Sequence, residues 1–132
     1  MKPKIYFICP NNKLISGGVK QIYRQVEVLN NHGIDAYVLL DKEPKQWWFK
    51  SQAAIAYSPY IYYMLQHILL NRMLTLRRKL KRWRLSKKSV SIAPNDILVI
   101  PEIYGAEFNK ILPTNRKIIF NQNCYYTFNI YG

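Results

Sequence analysis

The chain opens with an unbroken apolar run from Ile5 to Cys9, as expected for a strand buried on both faces of a parallel sheet. Pro10 ends the run, and a loop leads into the turn Ser16-Gly17-Gly18. From Val19 the period changes. Val19, Ile22, Tyr23, Val26, Leu29 and Asn30 recur at helical steps and define one face of a helix. Asn30-Asn31-His32-Gly33 marks its end, with Gly33 expected as a left-handed stop. Ala36 to Asp41 then has the character of a second strand, so the first forty residues predict a right-handed parallel crossover.

Beyond the aromatic cluster Trp47-Trp48-Phe49, Ala53 to Tyr57 is short enough for a third strand. From Ile61, apolar residues recur at Leu65, Leu69, Met73, Leu76, Leu80 and Trp83, which predicts one long helix of about six turns. Its first half is nearly uncharged and its second half dense with cations. Ile97 to Ile100 is a fourth strand stopped by Pro101, Ala106 to Ile111 a short helix, and Lys117 to Phe120 a fifth strand. The order predicts an α/β fold, an open doubly wound parallel sheet of Rossmann-like type. Residues 1–132 form one domain in this reading, with 58–90 as an inserted amphipathic, basic helical segment.

A chain of 132 residues can bury one sizeable core, and an apolar content of 49% argues against disorder. Cys9 and Cys124 lack CxxC spacing and suit structural thiols in a reducing compartment. Met1-Lys2-Pro3-Lys4 runs straight into the first strand without the features of a secretory signal, so the expected location is cytoplasmic.

The net charge of +13 changes the picture once it is located. Nine of the twenty Lys and Arg residues lie between Arg72 and Lys88, a stretch with no acidic residue. An anionic partner is the expectation, with Arg77, Arg78, Lys81, Arg82 and Arg84 as its candidate contacts. A transmembrane helix over Gln52 to Asn71 has the length, but Pro59, Gln66, His67 and four tyrosines interrupt it. A nucleic-acid arm lacks an accompanying recognition module. An in-plane helix on an anionic membrane is the better physical match, and a helix packed on the sheet with a solvated charged face stands equally open.

In doubly wound sheets, ligands bind beyond the carboxyl ends of the strands. Gly17 and Gly18 follow the first strand there, where glycines let backbone N–H groups approach a phosphate. Asp41 follows the second strand and Glu102 the fourth; Asn121, Asn123, Tyr125 and Tyr126 follow the fifth. This polar and aromatic set suits a sugar-like ligand better than a metal. His32 and His67 have no metal-ligand spacing and are expected as surface or helix-face positions. The G-x-G-x-x-G fingerprint, the Walker sequence and nucleophile–base sets are absent.

Three stretches carry a resemblance. Ser16-Gly17-Gly18 opens a helix that ends Asn31-His32-Gly33. The run from Pro94 through Asp96, Pro101 and Glu102 to Gly105 is the second, and Ile119 to Phe128 the third. Together they resemble the N-terminal domain of retaining, nucleotide-sugar-dependent GT-B glycosyltransferases, most closely a bacterial subgroup. The resemblance spans roughly residues 4–57 and 91–132. It implies that Gly17 and Gly18 approach the donor diphosphate, and that Glu102, Asn121, Asn123 and Tyr125 line an acceptor cleft, with Glu102 as candidate catalytic group. No cofactor is implied beyond the nucleotide-sugar donor as substrate, and the acceptor would be a glycan or lipid-linked sugar.

Glu102 could equally cap the short helix, and for Asn121 and Asn123 a loop-fixing network is slightly favoured over direct ligand contact. The family's donor-binding second domain has no match in these residues, and 58–90 has no counterpart in the subgroup. The chain alone is therefore expected to be inactive, working with the rest of such an enzyme at the inner membrane face. The fifth strand would form an open edge, predicting a homo-oligomer or a partner that completes the sheet. The alternative is a non-enzymatic module that keeps the fold and binds a membrane, with nucleic acid the less favoured partner.

Overall fold

The computed structural model describes residues 2–9, 17–43, 50–69, 76–101 and 106–120. Along the chain these form β1 (Ile5–Ile8), α1 (Gly17–Asn31), β2 (Ala36–Leu40), β3 (Ile55–Tyr57), α2 (Pro59–Leu69), α3 (Leu76–Lys88), β4 (Ile97–Pro101), a 3-10 helix (Ala106–Lys110) and β5 (Arg116–Phe120). The strands make one sheet in the order β3-β2-β1-β4-β5. Every pairing is parallel. This is an α/β fold with a five-stranded, all-parallel sheet, consistent with a Rossmann-like arrangement.

Side chains alternate across the strands and so feed two separate cores. Phe7, Cys9, Val38 and Val99 pack with Ile22, Tyr23 and Val26 of α1. Tyr6, Ile8, Leu39, Leu98 and Ile100 pack on the opposite face with Ile61 and Leu65 of α2 and with Phe108 and Ile111. Both faces of the central strands are covered, which is why their sequences are continuously apolar.

Helix α1 ends as its sequence predicts. Gly33 has φ +76°. Its N–H donates to Asn30 O at 3.0 Å, and Ile34 N–H donates to Leu29 O at 3.0 Å, a Schellman closure. Asn30 lies on the helix's inner face because its amide is fully used. Nδ2 donates to Ala36 O at 2.9 Å, and Oδ1 accepts from Ala54 N–H at 3.1 Å. Glu27 Oε1 accepts from Ser51 Oγ at 2.6 Å and Gln52 N–H at 2.8 Å, so α1 also holds the approach to β3. These two bonds hold the Glu27 carboxyl below its ordinary pKa.

At the amino edge of the sheet, Asp96 acts as a clasp. It is 4% exposed. Oδ1 accepts from Lys4 N–H at 2.9 Å and Oδ2 from Ala93 N–H at 2.8 Å. Asn115 Nδ2 completes it, donating to Ala93 O at 2.7 Å and Asp96 O at 3.0 Å. Three sequence-distant segments, before β1, before β4 and before β5, are thereby tied at one point.

The single long helix expected from Ile61 to Trp83 is replaced by two helices that double back. Ser58 and Pro59 start α2 in the ordinary way, with Ser58 Oγ accepting from Ile61 N–H at 3.3 Å and Pro59 as first helical residue. At the far end of α3, Ser89 Oγ accepts from Tyr60 N–H at 3.0 Å, and Val90 N–H donates to Tyr57 O at 2.9 Å. In one straight helix Tyr60 and Ser89 would stand roughly 40 Å apart at about 1.5 Å per residue. The two helices are therefore antiparallel neighbours. Tyrosines on α2 take the cations of α3: Arg82 Nη2 donates to Tyr60 Oη at 3.1 Å, and Lys81 Nζ sits 5.4 Å from the Tyr63 ring centre. Within Gln52 to Asn71, the stretch long enough for a membrane span, Ile55–Tyr57 form β3 and Pro59–Leu69 form α2. No helix among the described residues is long and apolar enough to cross a membrane.

Strand β5 lies at the sheet edge, and among the described residues it pairs on one side only, with β4. Ile118 and Ile119 are exposed there. Lys117 guards the turn before it, with Nζ donating to Leu112 O at 2.7 Å. Burial lowers the pKa of this ammonium.

Candidate functional site

The chain runs from β1 through β2 to β3 in one direction, then returns across the sheet to β4 and β5 on the other side of β1. The switch point lies between β1 and β4, and in such sheets ligands bind beyond the carboxyl ends of these strands. Parallel pairing brings those ends into register. Phe7 lies opposite Val99, and Pro101 opposite Phe120. The residues immediately before Glu102 and Asn121 therefore sit side by side. Glu102, Asn121, Asn123 and Tyr125 themselves, like Ser16, lie outside the described residues.

Gly17 and Gly18 are the first two residues of α1, the helix that follows β1. Neither needs a positive φ there. The first turn of α1 contains no acidic side chain and carries Lys20, so no carboxylate within it offsets the positive end of the helix. Asp41, directly after β2, is half-buried.

One contributor at this edge was not anticipated from the sequence. The Tyr62 hydroxyl reaches from α2 to the ends of β1 and β2, accepting from Cys9 N–H at 3.2 Å, with Leu39 O at 2.7 Å and Cys9 O as the two acceptors within reach of its single proton. It ties the ends of β1 and β2 to α2. Among four tyrosines spaced along Tyr57 to Tyr63, periodicity alone does not single out the one that reaches a strand end.

Cys9 is a structural thiol. It is buried in the α1-side core, and burial pushes its pKa from 9.0 up to about 12. An acid whose folded pKa is raised stays protonated in the native state while the unfolded chain ionises. Native stability should accordingly fall as pH rises from 9.0 towards 12. Urea midpoints measured through this range should decline more shallowly in Cys9→Ala than in the parent. In a Cys124→Ser background, native Cys9 should resist iodoacetamide until the protein is unfolded.

His67 is a buried residue of α2 rather than a surface one. Nδ1 lies 2.9 Å from Tyr63 O, the two rings are 4.0 Å apart, and Nε2 has no hydrogen-bond partner among the described residues. His32 is exposed at the end of α1, its Nδ1 2.8 Å from Val28 O. The two histidines lie apart, His32 just past α1 and His67 within α2, with separate partners. No group of three His, Cys, Asp or Glu side chains that could hold a metal ion occurs among the described residues.

The cationic candidates divide by the face of α3 they occupy. Arg82 and Lys81 are held on tyrosines of α2. Arg78 is half-buried on the same side, whereas Arg77 and Arg84 are exposed. Leu76, Leu80 and Trp83 are also exposed, at 77%, 54% and 57%. The sequence stripe they belong to therefore does not pack on the sheet along its whole length. Ile61 and Leu65 of α2 are core, whereas Leu76, Leu80 and Trp83 of α3 face outward.

No family model, curated protein or solved structure matches the chain.

Proposed function

We propose that these residues form the acceptor-side half of a glycosyltransferase of GT-B type, which works with a second domain that holds the nucleotide-sugar donor. The observation that carries this reading is the layout of the carboxyl edge. The glycine-led end of α1 follows β1, and β4 and β5 end side by side at Pro101 and Phe120 on the same edge of the sheet. Gly17 and Gly18 would meet the diphosphate through backbone N–H groups. Glu102, Asn121, Asn123 and Tyr125 would meet the acceptor, with Glu102 as the titratable group nearest the chemistry. The reaction would move a hexosyl group from the nucleoside diphosphate to a glycan or lipid-linked hydroxyl at the inner membrane face. The outer side of β5 would take the second domain or a second copy of the chain.

Titration of the purified chain with nucleoside diphosphates and nucleotide sugars, followed by amide resonances, tests the reading. Weak, saturable shifts at the Gly17, Gly18 and Val19 amides are expected, with no sugar transfer. An absence of shifts there with every donor would overturn it. Transfer by the chain alone would overturn the assignment of the main donor site to a second domain. The exposed apolar and cationic face of α3 favours a second reading, a non-enzymatic module that retains the fold and binds an anionic surface.

A further inference from the structure

We propose that the outward face of α3 docks the protein on an anionic lipid surface, with Leu76, Leu80 and Trp83 entering the interface and Arg77, Lys79, Arg84 and Lys88 meeting the headgroups. The inference concerns the outward face of α3 rather than Gly17, Gly18 and the ends of β1, β4 and β5, and does not depend on the sugar-transfer reading.

Helix α3 has the sequence LRRKLKRWRLSKK, with eight Lys or Arg and no acidic residue, and none of its residues is buried. Leu76, Leu80 and Trp83 follow one another at steps of four and three, so they form one stripe along the helix. The same periodicity sets Arg77, Arg84 and Lys88 along one margin of that stripe and Lys79 along the other. Lys87 lies within the stripe, its ammonium 3.9 Å from the centre of the Trp83 ring. On the opposite side of the helix, Arg82 lies 5.6 Å from the Tyr60 ring and Lys81 5.4 Å from the Tyr63 ring. Tertiary packing has thus occupied the inner cations and left an apolar ridge between charged margins facing outward. A helix that lies in a membrane plane has this form, with apolar side chains below and long basic side chains reaching up to the phosphates.

Charge decides among the occupants. A second copy would set eight cations against eight, within chains that each carry +13. A nucleic acid would satisfy the cations, but its phosphate backbone has no apolar surface for Leu76 and Leu80, and Lys87 already covers a face of Trp83. An anionic leaflet satisfies both parts at once.

Flotation with vesicles of phosphatidylcholine, with and without phosphatidylglycerol, tests the proposal. The full chain should float with the anionic vesicles and not with the neutral ones, and added salt should release it. Leu80→Ser with Trp83→Ser leaves the charge unchanged and should lower binding at least tenfold, as should Arg77→Gln with Arg84→Gln. Arg82→Gln should reduce binding far less, because that guanidinium is held on Tyr60. Circular dichroism checks that each variant keeps its helix content. Equal flotation with neutral vesicles overturns the proposal, as does wild-type affinity in the Leu80→Ser, Trp83→Ser variant. Duplex DNA that displaces the protein from anionic vesicles would assign the face to nucleic acid instead. Concentration-dependent self-association abolished by the same double variant would assign it to a second copy.

Discussion

Asp96→Asn should destabilise the protein by about 2–3 kcal/mol, the cost of leaving buried backbone donors without acceptors. Both carboxylate oxygens accept from backbone N–H groups, at Lys4 and at Ala93. An amide can offer only one oxygen, so its NH2 group must face one of these donors. The side chain is 4% exposed, so water cannot easily take over the lost bond. The expected measurement is a lower urea midpoint with an unchanged slope. A midpoint equal to the parent's would show that the clasp is dispensable. Because Asp96 sits at the amino edge, the variant should leave any shifts at Gly17 and Gly18 intact under conditions where it remains folded. The residue also stands inside the Pro94–Gly105 stretch, one of the three on which the proposed glycosyltransferase resemblance draws. Part of that resemblance therefore falls on a residue that holds the fold rather than on one that touches a ligand.

Ile61→Ala should cost about 2–5 kcal/mol, the range for emptying a buried aliphatic site. Ile61 is 0% exposed and packs among Tyr6, Ile8, Leu98 and Phe108 on the α2 face of the sheet. Leu80→Ala, in contrast, should change stability by no more than about 0.5 kcal/mol, because its side chain is exposed and touches no core. The pair separates two halves of a segment that hydrophobic periodicity alone reads as one helix. If both variants were neutral, α2 would be an appendage. If both were costly, the outward face of α3 would be covered, and the docking proposal would fail with it. The predicted contrast makes α2 the cover of one sheet face and α3 the surface presented beyond it.

Local signals carried most of the element order. Continuous apolar runs marked β1, β2 and β4 because both of their faces are covered, and Gly33 marked the end of α1 because only a residue without Cβ adopts φ +76° at little cost. Polar ties were less legible. Asp96 and Asn115 lie 19 residues apart and meet only because β4 and β5 pair in parallel. Tyr62 and Cys9 lie 53 residues apart, and only the packing of α2 on the sheet brings the hydroxyl to the strand ends.

The apolar stripe from Ile61 to Trp83 shows where such reading stops. Periodicity is a local property, and the same spacing fits one straight helix or two that fold back. Neither glycine nor proline occurs between Leu69 and Leu76; Asn71 and Thr75, residue types favoured at helix ends, are the weak signals available. By itself the sequence determined the α/β class, the positions of the five strands, the buried face of α1 and the concentration of positive charge, because each depends on neighbours along the chain. Tertiary structure alone decided the strand order, the clasp at Asp96 and the reversal of α3 onto α2. It also decided which cations rest on tyrosines and which border an exposed apolar ridge, because that division depends on which face of α3 the α2 tyrosines occupy.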